Sequence, residues 1–302
     1  MSRIRILCLG AGEGWHSQQL TSAAQQLDCE LQFATYESLH ASVVSGRSQF
    51  VSEVGPVDVF DAVLTRTMPA GTLEQVTFRL AILHAIDAAG SIPVINPPRS
   101  LEIAIDKFAT LHLVSELGYP VPETAIAQDR SQAVEAFDRL GGDCVVKPIF
   151  GGEGRGVMRV RDAELAWTTF STLENLGAIC YVQRFVAPGG CDTRLLVIGD
   201  QVHGIRRRNS VDFRTNVSSG ARCERIEVSE SQAAMSRRIC EAIGLRFASV
   251  DILDSEDGEP RILEVNAIPG WKGAQGVAAR PIAEEIVGLV REEVTAMKGV
   301  SC

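Results

Sequence analysis

Asp251, Glu264 and Asn266 place three oxygen-bearing side chains in two short apolar runs, FASVDIL and PRILEVNAIPG. Strand side chains alternate with period two, so Glu264 and Asn266, two residues apart, face the same way. The runs are joined by DSEDGE (Asp254–Glu259). Its Asp257-Gly258 pair is a hairpin signal that sets Asp251 beside Glu264 on the partner strand. Two carboxylates and an amide oxygen suit Mg²⁺, a hard ion that keeps part of its water and shares itself with phosphates; Mn²⁺ fits the same donors. Read for packing alone, the stretch is two core strands with incidental polar residues.

A second chemical landmark is CVVKPIFGGEGRGVMRV, Cys144 to Val160. Lys147 ends a strand, and Gly151, Gly152, Gly154 and Gly156 follow in a turn with few side chains. Backbone N–H groups of such a turn can close on phosphate oxygens, with a lysine adding charge. It is not a Walker A loop, because no Gly-Lys-Ser/Thr ends it and no helix follows. A generic glycine hairpin is the plain alternative. Arg206, Arg207 and Arg208 end a later strand, and DFRTN brings Arg214 and Asn216. Guanidinium groups hold a carboxylate or phosphate bidentately, although a charge run such as that at Arg206 is commonly a solvated face.

The elements that must carry these residues follow from periodicity. Ile4–Gly10 reads as a buried strand, then a glycine loop, a helix, a strand over Glu30–Tyr36, a polar segment, and a strand ending at Arg66. This alternation implies parallel β-α-β units. Gly10, Gly12 and Gly14 fall short of a dinucleotide fingerprint, since Trp15 stands where its last glycine would be. His16 and Arg66 follow strand ends, where α/β folds place ligands. A helix over Thr72–Ala89 stops at Gly90, and Pro97-Pro98 reads as a stiff linker. Asp106 can cap a helix from Lys107 to Leu117. Further on, Ala178–Val186 is a buried strand, Asp200-Gln201 turns two strands, and Pro281–Met297 is a structural helix.

With 302 residues the chain is long enough for about two domains. Its net charge of −9 argues against a nucleic-acid surface. No apolar run approaches a membrane span and no signal peptide opens the chain, so no membrane partner is expected. Eight scattered cysteines, with no C-x-x-C pair, read as reduced packing residues in a cytoplasmic protein.

The order Asp106-Lys107, VVKP with its glycine turn, VQRFV, GCDTRLLVIGD, DFRTN and D…LEVNAIPG resembles the ATP-grasp superfamily, in particular its RimK-type glutamate ligases. The resemblance runs from about Asn96 to the C-terminus. It implies an α/β and α+β chain with a small N-terminal parallel α/β domain (1–97) before a two-subdomain ATP-grasp fold. Those subdomains would be a central one (98–180) and a C-terminal one (181–302).

By resemblance, ATP lies between the subdomains. Lys107 and Lys147 would meet its phosphates under Gly151–Gly156. The stretch Gln183, Arg184, Phe185 and Val186 would read adenine, with Asp192 near the sugar. Asp251, Glu264 and Asn266 would hold Mg²⁺, and Arg194, Arg207, Arg214 and Asn216 would line the acceptor side.

The chain departs from the family at Arg184, where glutamate is usual, and at VSSGA after Asn216, where the ribosomal-protein ligases carry His-Arg-Gly. Both departures leave the phosphate and metal motifs intact, which implies the same chemistry on a different acceptor. KPIFGG is similar to relatives that add glutamate to pterin or deazaflavin coenzymes. The expectation is an ATP-dependent ligase joining L-glutamate to a small-molecule or peptide carboxylate through an acyl phosphate. The resemblance leaves a homo-oligomer open. The alternatives are a nucleotide-binding regulatory module and a small-molecule kinase.

Overall fold

The computed structural model describes residues 3–152, 154–217 and 220–300. Glu153 of the glycine turn, Ser218 and Ser219 of VSSGA, and Cys302 lie outside the described residues. Near-continuous apolar sequence makes β1 (Ile4–Leu9), followed by α1 (Trp15–Gln26) and β2 (Cys29–Ala34). The segment expected to be merely polar forms a small antiparallel sheet, β3 (His40–Val44), β4 (Arg47–Ser52) and β5 (Gly55–Pro56). Its turn is Ser45-Gly46, both with positive φ (52° and 76°), as a tight hairpin requires. The β3 strand is exposed on both faces, so no apolar alternation announces it.

β6 (Ala62–Thr65), α2 (Leu73–Ala89) and β7 (Val94–Ile95) complete a parallel sheet of order β2-β1-β6-β7. Thr72 caps α2 and Gly90 ends it in the left-handed region. Pro97-Pro98 is a strand-to-helix joint rather than a stiff linker. Pro98 opens α3 (Pro98–Ile105) at its first turn, where a missing N–H costs nothing. Asp106 Oδ1 accepts the N–H groups of Phe108 and Ala109 at 2.8 and 3.1 Å, starting α4 (Lys107–Glu116).

β8 (Thr124–Ala127), α5 (Arg130–Arg139), β9 (Cys144–Lys147), β10 (Met158–Val160), α6 (Ala163–Asn175) and β11 (Cys180–Arg184) form the central subdomain. Its antiparallel sheet has the order β10-β9-β11-β8, with a core of its own around Phe137, Val146, Phe170 and Val182. Because β11 completes this sheet, the sheet extends past the 180/181 division drawn from the sequence.

The last sheet, of order β14-β13-β12-β15-β16, contains β12 (Cys191–Ile198), β13 (Gln201–Arg208), β14 (Arg222–Ile226), β15 (Phe247–Leu253) and β16 (Arg261–Asn266). α7 (Glu230–Ile243) precedes β15, while α8 (Lys272–Gln275) and α9 (Ile282–Val300) follow β16. This sheet shares its apolar core with the N-terminal one: Leu7, Leu9 and Val63 cluster with Leu195, Ile239 and Val250. α9 returns to pack on α1. Among the described residues no helix is long and apolar enough to cross a membrane.

Candidate active site

The cleft between the β10-β9-β11-β8 sheet and the β14-β13-β12-β15-β16 sheet gathers the residues that the motifs singled out. It holds about 850 Å³ of atom-free space, open mouth included. Lys107, Lys147, Gly151, Gly152, Gly154, Gln183, Arg184, Phe185, Val186, Asp192, Arg207, Arg214, Asn216, Asp251 and Glu264 all line it. Gly156, Arg194 and Asn266 stand behind this lining, each against a residue that belongs to it.

The hairpin β15–β16 sets Asp251 directly opposite Glu264. Asn266, on the same face as Glu264, donates its amide to Glu264 Oε1 at 3.1 Å. Beyond Asp251 the register shifts and pairs Ile252 with Ile262, leaving Leu263 as a bulged residue. Leu263 and Glu264 therefore both reach the cleft, which strict alternation forbids.

Asp251 is buried and ion-paired. Arg194, opposite it on β12, donates through Nε and Nη2 at 2.8 and 2.6 Å, and Arg207 Nη2 adds a third bond at 2.9 Å. Arg207 also forks onto Asp192, which accepts the Thr215 hydroxyl at 2.5 Å. The result is an alternating chain of charge across β13, β12 and β15. Burial pushes the Asp251 carboxyl up, but Arg194 and Arg207 reverse this and hold it below the ordinary carboxylate range. Burial raises Asp192 instead, with the negative Asp251 adding to it against Arg207.

These donors fit Mg²⁺. They are all hard oxygens, and among the described residues no group of three or more His, Cys, Asp or Glu could enclose an ion alone. An ion held by Asp251, Glu264 and Asn266 would need further oxygen ligands, such as phosphate and water.

On the opposite wall, Lys147 donates to Gln183 Oε1 at 2.9 Å, with its ammonium 5.2 Å from the Tyr181 ring centre. Burial lowers its pKa to about 8, against the pull of Glu264 and with the push of Lys107. Burial also lowers Lys107, whose ammonium donates to Ile149 O and Gly151 O at 3.3 and 2.7 Å and so holds the glycine turn. Gly154 (φ +72°) lies so close to Asn216 that a Cβ would stand 2.6 Å from its Oδ1. Gly156 (φ +72°) faces Pro148, with a Cβ 2.8 Å from Cγ. Only glycine fits either place.

Arg184 turns its guanidinium onto Leu140 O (3.1 Å) and Glu123 (3.0 Å). Arg214 is anchored on Asp212 through Nε at 2.9 Å. Arg206, for which the sequence left a solvated face open, bonds Thr193 Oγ1 at 2.8 Å and pairs with Asp254.

Several lining residues had no chemical signal in the sequence: Val145, Val157, Leu253 and Leu263 are apolar cleft walls. Phe213 and Thr215 also line it, and their position beside Arg214 inside DFRTN was the available hint.

A family model described as the RimK-like ATP-grasp domain matches residues 104–290. The tetrahydromethanopterin:alpha-L-glutamate ligase of Methanosarcina acetivorans is 29% identical over 301 residues, covering 86% of this chain and 90% of that protein. A probable alpha-L-glutamate ligase of Klebsiella pneumoniae is 29% identical over 288 residues, covering 94% of each. Among solved structures, the ATP-grasp ligase PsnB with minimal precursor, Mg and ADP superposes with a TM-score of 0.76 at 23% identity, over 97% of this chain and 99% of that one. A RimK domain ATP-grasp protein of Sphaerobacter thermophilus gives a TM-score of 0.71 at 23% identity, over 94% and 98%. The chain belongs to the RimK-like ATP-grasp family.

Proposed function

We propose that the protein is an ATP-dependent carboxylate–amine ligase that adds L-glutamate to a carboxylate-bearing acceptor and releases ADP and phosphate. The observation that carries this reading is the Asp251–Glu264 pair facing one cleft with Lys107 and Lys147 under the glycine turn. A carboxylate is a poor electrophile. Phosphorylating it from ATP gives an acyl phosphate, which an amine then attacks with loss of phosphate.

Both steps gather negative charge on oxygens at one spot, and preorganised cations stabilise that charge. Lys107 and Lys147 would meet the phosphates, and the glycine turn would cover them. Gln183–Val186, Val145, Leu253 and Leu263 would enclose adenine, with Asp192 on the sugar side. Asp251, Glu264 and Asn266 would hold Mg²⁺, which supplies Lewis-acid stabilisation when bound. Arg207, Arg214 and Asn216 would face the acceptor, and Arg194 would orient Asp251.

The relatives named for tetrahydromethanopterin support a coenzyme acceptor, while a PsnB structure with its precursor peptide supports a peptide. The free thiols of the described cysteines support a cytosolic setting. Release of ADP and phosphate that needs both L-glutamate and an acceptor tests the reading. ADP without free phosphate would mark a kinase instead, and no nucleotide turnover a binding module.

A further inference from the structure

β16, which carries Glu264 and Asn266, is an edge strand, so only β15 flanks it. Its exit, Ala267 to Trp271, is held from outside the sheet by the N-terminal domain and the joint that follows it. Asn96 donates its amide to Ala267 O at 2.7 Å and to Phe247 O at 2.6 Å. It also accepts the N–H groups of Arg246 and Phe247 at 2.8 and 3.0 Å. Arg66 Nη2 donates to Pro269 O at 3.3 Å. The backbone N–H of Trp271 donates to His16 Nε2 at 3.2 Å. Three side chains thus grip alternate residues of the segment that leaves Asn266.

The chemistry of the grip is specific. His16 Nε2 accepts only while unprotonated, and burial, then the charges of Arg66 and Lys272, lower its pKa to about 4. The Arg66 guanidinium lies 4.8 Å from the Trp271 ring centre and 5.4 Å from that of Phe247. It has no carboxylate partner among the described residues, and its Nη1 is enclosed without an acceptor. Burial draws its pKa down to about 10. A part-buried arginine with one enclosed, unpaired donor contributes little to stability, so a positioning role accounts for it better.

We propose that His16 and Arg66 are positioning residues for the metal site, fixing the exit of β16 so that Glu264 and Asn266 are held in register against Asp251. The assignment rests on the ligase reading of the cleft. It also accounts for the Gly10–Ser17 stretch, whose His16, in the first turn of α1, reaches across to the segment that leaves β16. Partners that orient ligands commonly change metal affinity by about 10–100-fold when removed.

The test is a Mn²⁺ titration followed by electron paramagnetic resonance, on the full chain with the non-hydrolysable ATP analogue AMPPNP. Wild type must bind Mn²⁺ with AMPPNP; failure there sinks the ligase reading itself. His16→Leu and Arg66→Met are expected to weaken Mn²⁺ binding about tenfold and leave metal-free AMPPNP binding unchanged. His16→Gln, whose amide oxygen can accept the Trp271 N–H, restores it. If the first two variants do not fold, His16→Gln is compared with His16→Asn, whose shorter side chain falls short of Trp271 and is expected to bind Mn²⁺ more weakly. Equal Mn²⁺ affinity in wild type and the variants, with or without a drop in thermal midpoint, overturns the proposal.

Discussion

Arg194 and Asp251 stand directly opposite each other on β12 and β15, and the guanidinium fork meets both carboxylate oxygens at 2.8 and 2.6 Å. A carboxylate proposed to hold the metal ion is thus also half of a buried ion pair. Arg207 extends the pairing to Asp192. In the free protein the arginines balance two buried acids that would otherwise repel, and on the proposed reading a cation entering the cleft would share Asp251 with them.

Arg207→Ala leaves Asp192 without its guanidinium and takes one of two from Asp251. Breaking a buried pair costs about 3–5 kcal/mol. We expect a loss of that order in urea unfolding, with part of it recovered in the Arg207→Ala/Asp192→Asn double variant. Unchanged stability would contradict the charge chain.

Glu264→Gln keeps the shape of the β16 side chain and removes its charge. We expect turnover to fall by about 10²–10³ or more, with far-ultraviolet circular dichroism and thermal midpoint near wild type. Near-normal turnover with unchanged Mg²⁺ dependence would remove Glu264 from the site.

Lys147 gives a pH signature. In the free protein its charge is lost as pH rises through about 8, whereas the unfolded side chain keeps its proton to about 10.4. Between these values the unfolded chain binds more protons, so the free protein gains stability with rising pH. A triphosphate favours the charged amine, so ATP binding at about pH 9 is expected to take up a proton. Calorimetry in buffers of different ionisation enthalpy reads this directly. Lys147→Ala is expected to abolish the uptake and weaken ATP binding sharply; uptake unchanged in that variant would refute the role.

Gly154→Ala tests the glycine turn. Its left-handed backbone costs an alanine about 1–2 kcal/mol, and the new methyl would stand 2.6 Å from Asn216 Oδ1. We expect the thermal midpoint to fall by a few degrees, at about 2–4 °C per kcal/mol, because this strain sits in the folded protein, and kcat/KM for ATP to fall as the turn shifts away from Asn216. A variant with unaltered kcat/KM would show that the turn does not close over the cleft.

The β15–β16 hairpin was legible because two local rules sufficed: period-two alternation for Glu264 and Asn266, and Asp257-Gly258 for the turn that brings Asp251 opposite. The Asp106 cap was legible for the same reason, being a short-range hydrogen bond. The β3–β4 hairpin was not, because it buries little and carries no apolar stripe. The bulge at Leu263 was hidden, since the sequence does not mark where a ladder slips. Nor could any local pattern place His16 against Trp271, which requires two strand ends far apart in the chain to meet.

The most direct test follows heavy oxygen from the acceptor. With ATP, Mg²⁺, L-glutamate and an acceptor labelled in its carboxylate, an acyl-phosphate route transfers label into the released inorganic phosphate and forms an amide. Labelled phosphate appearing with the glutamyl product is the result expected. Product formed with unlabelled phosphate, or ADP formed while phosphate stays on a hydroxyl, would contradict the account.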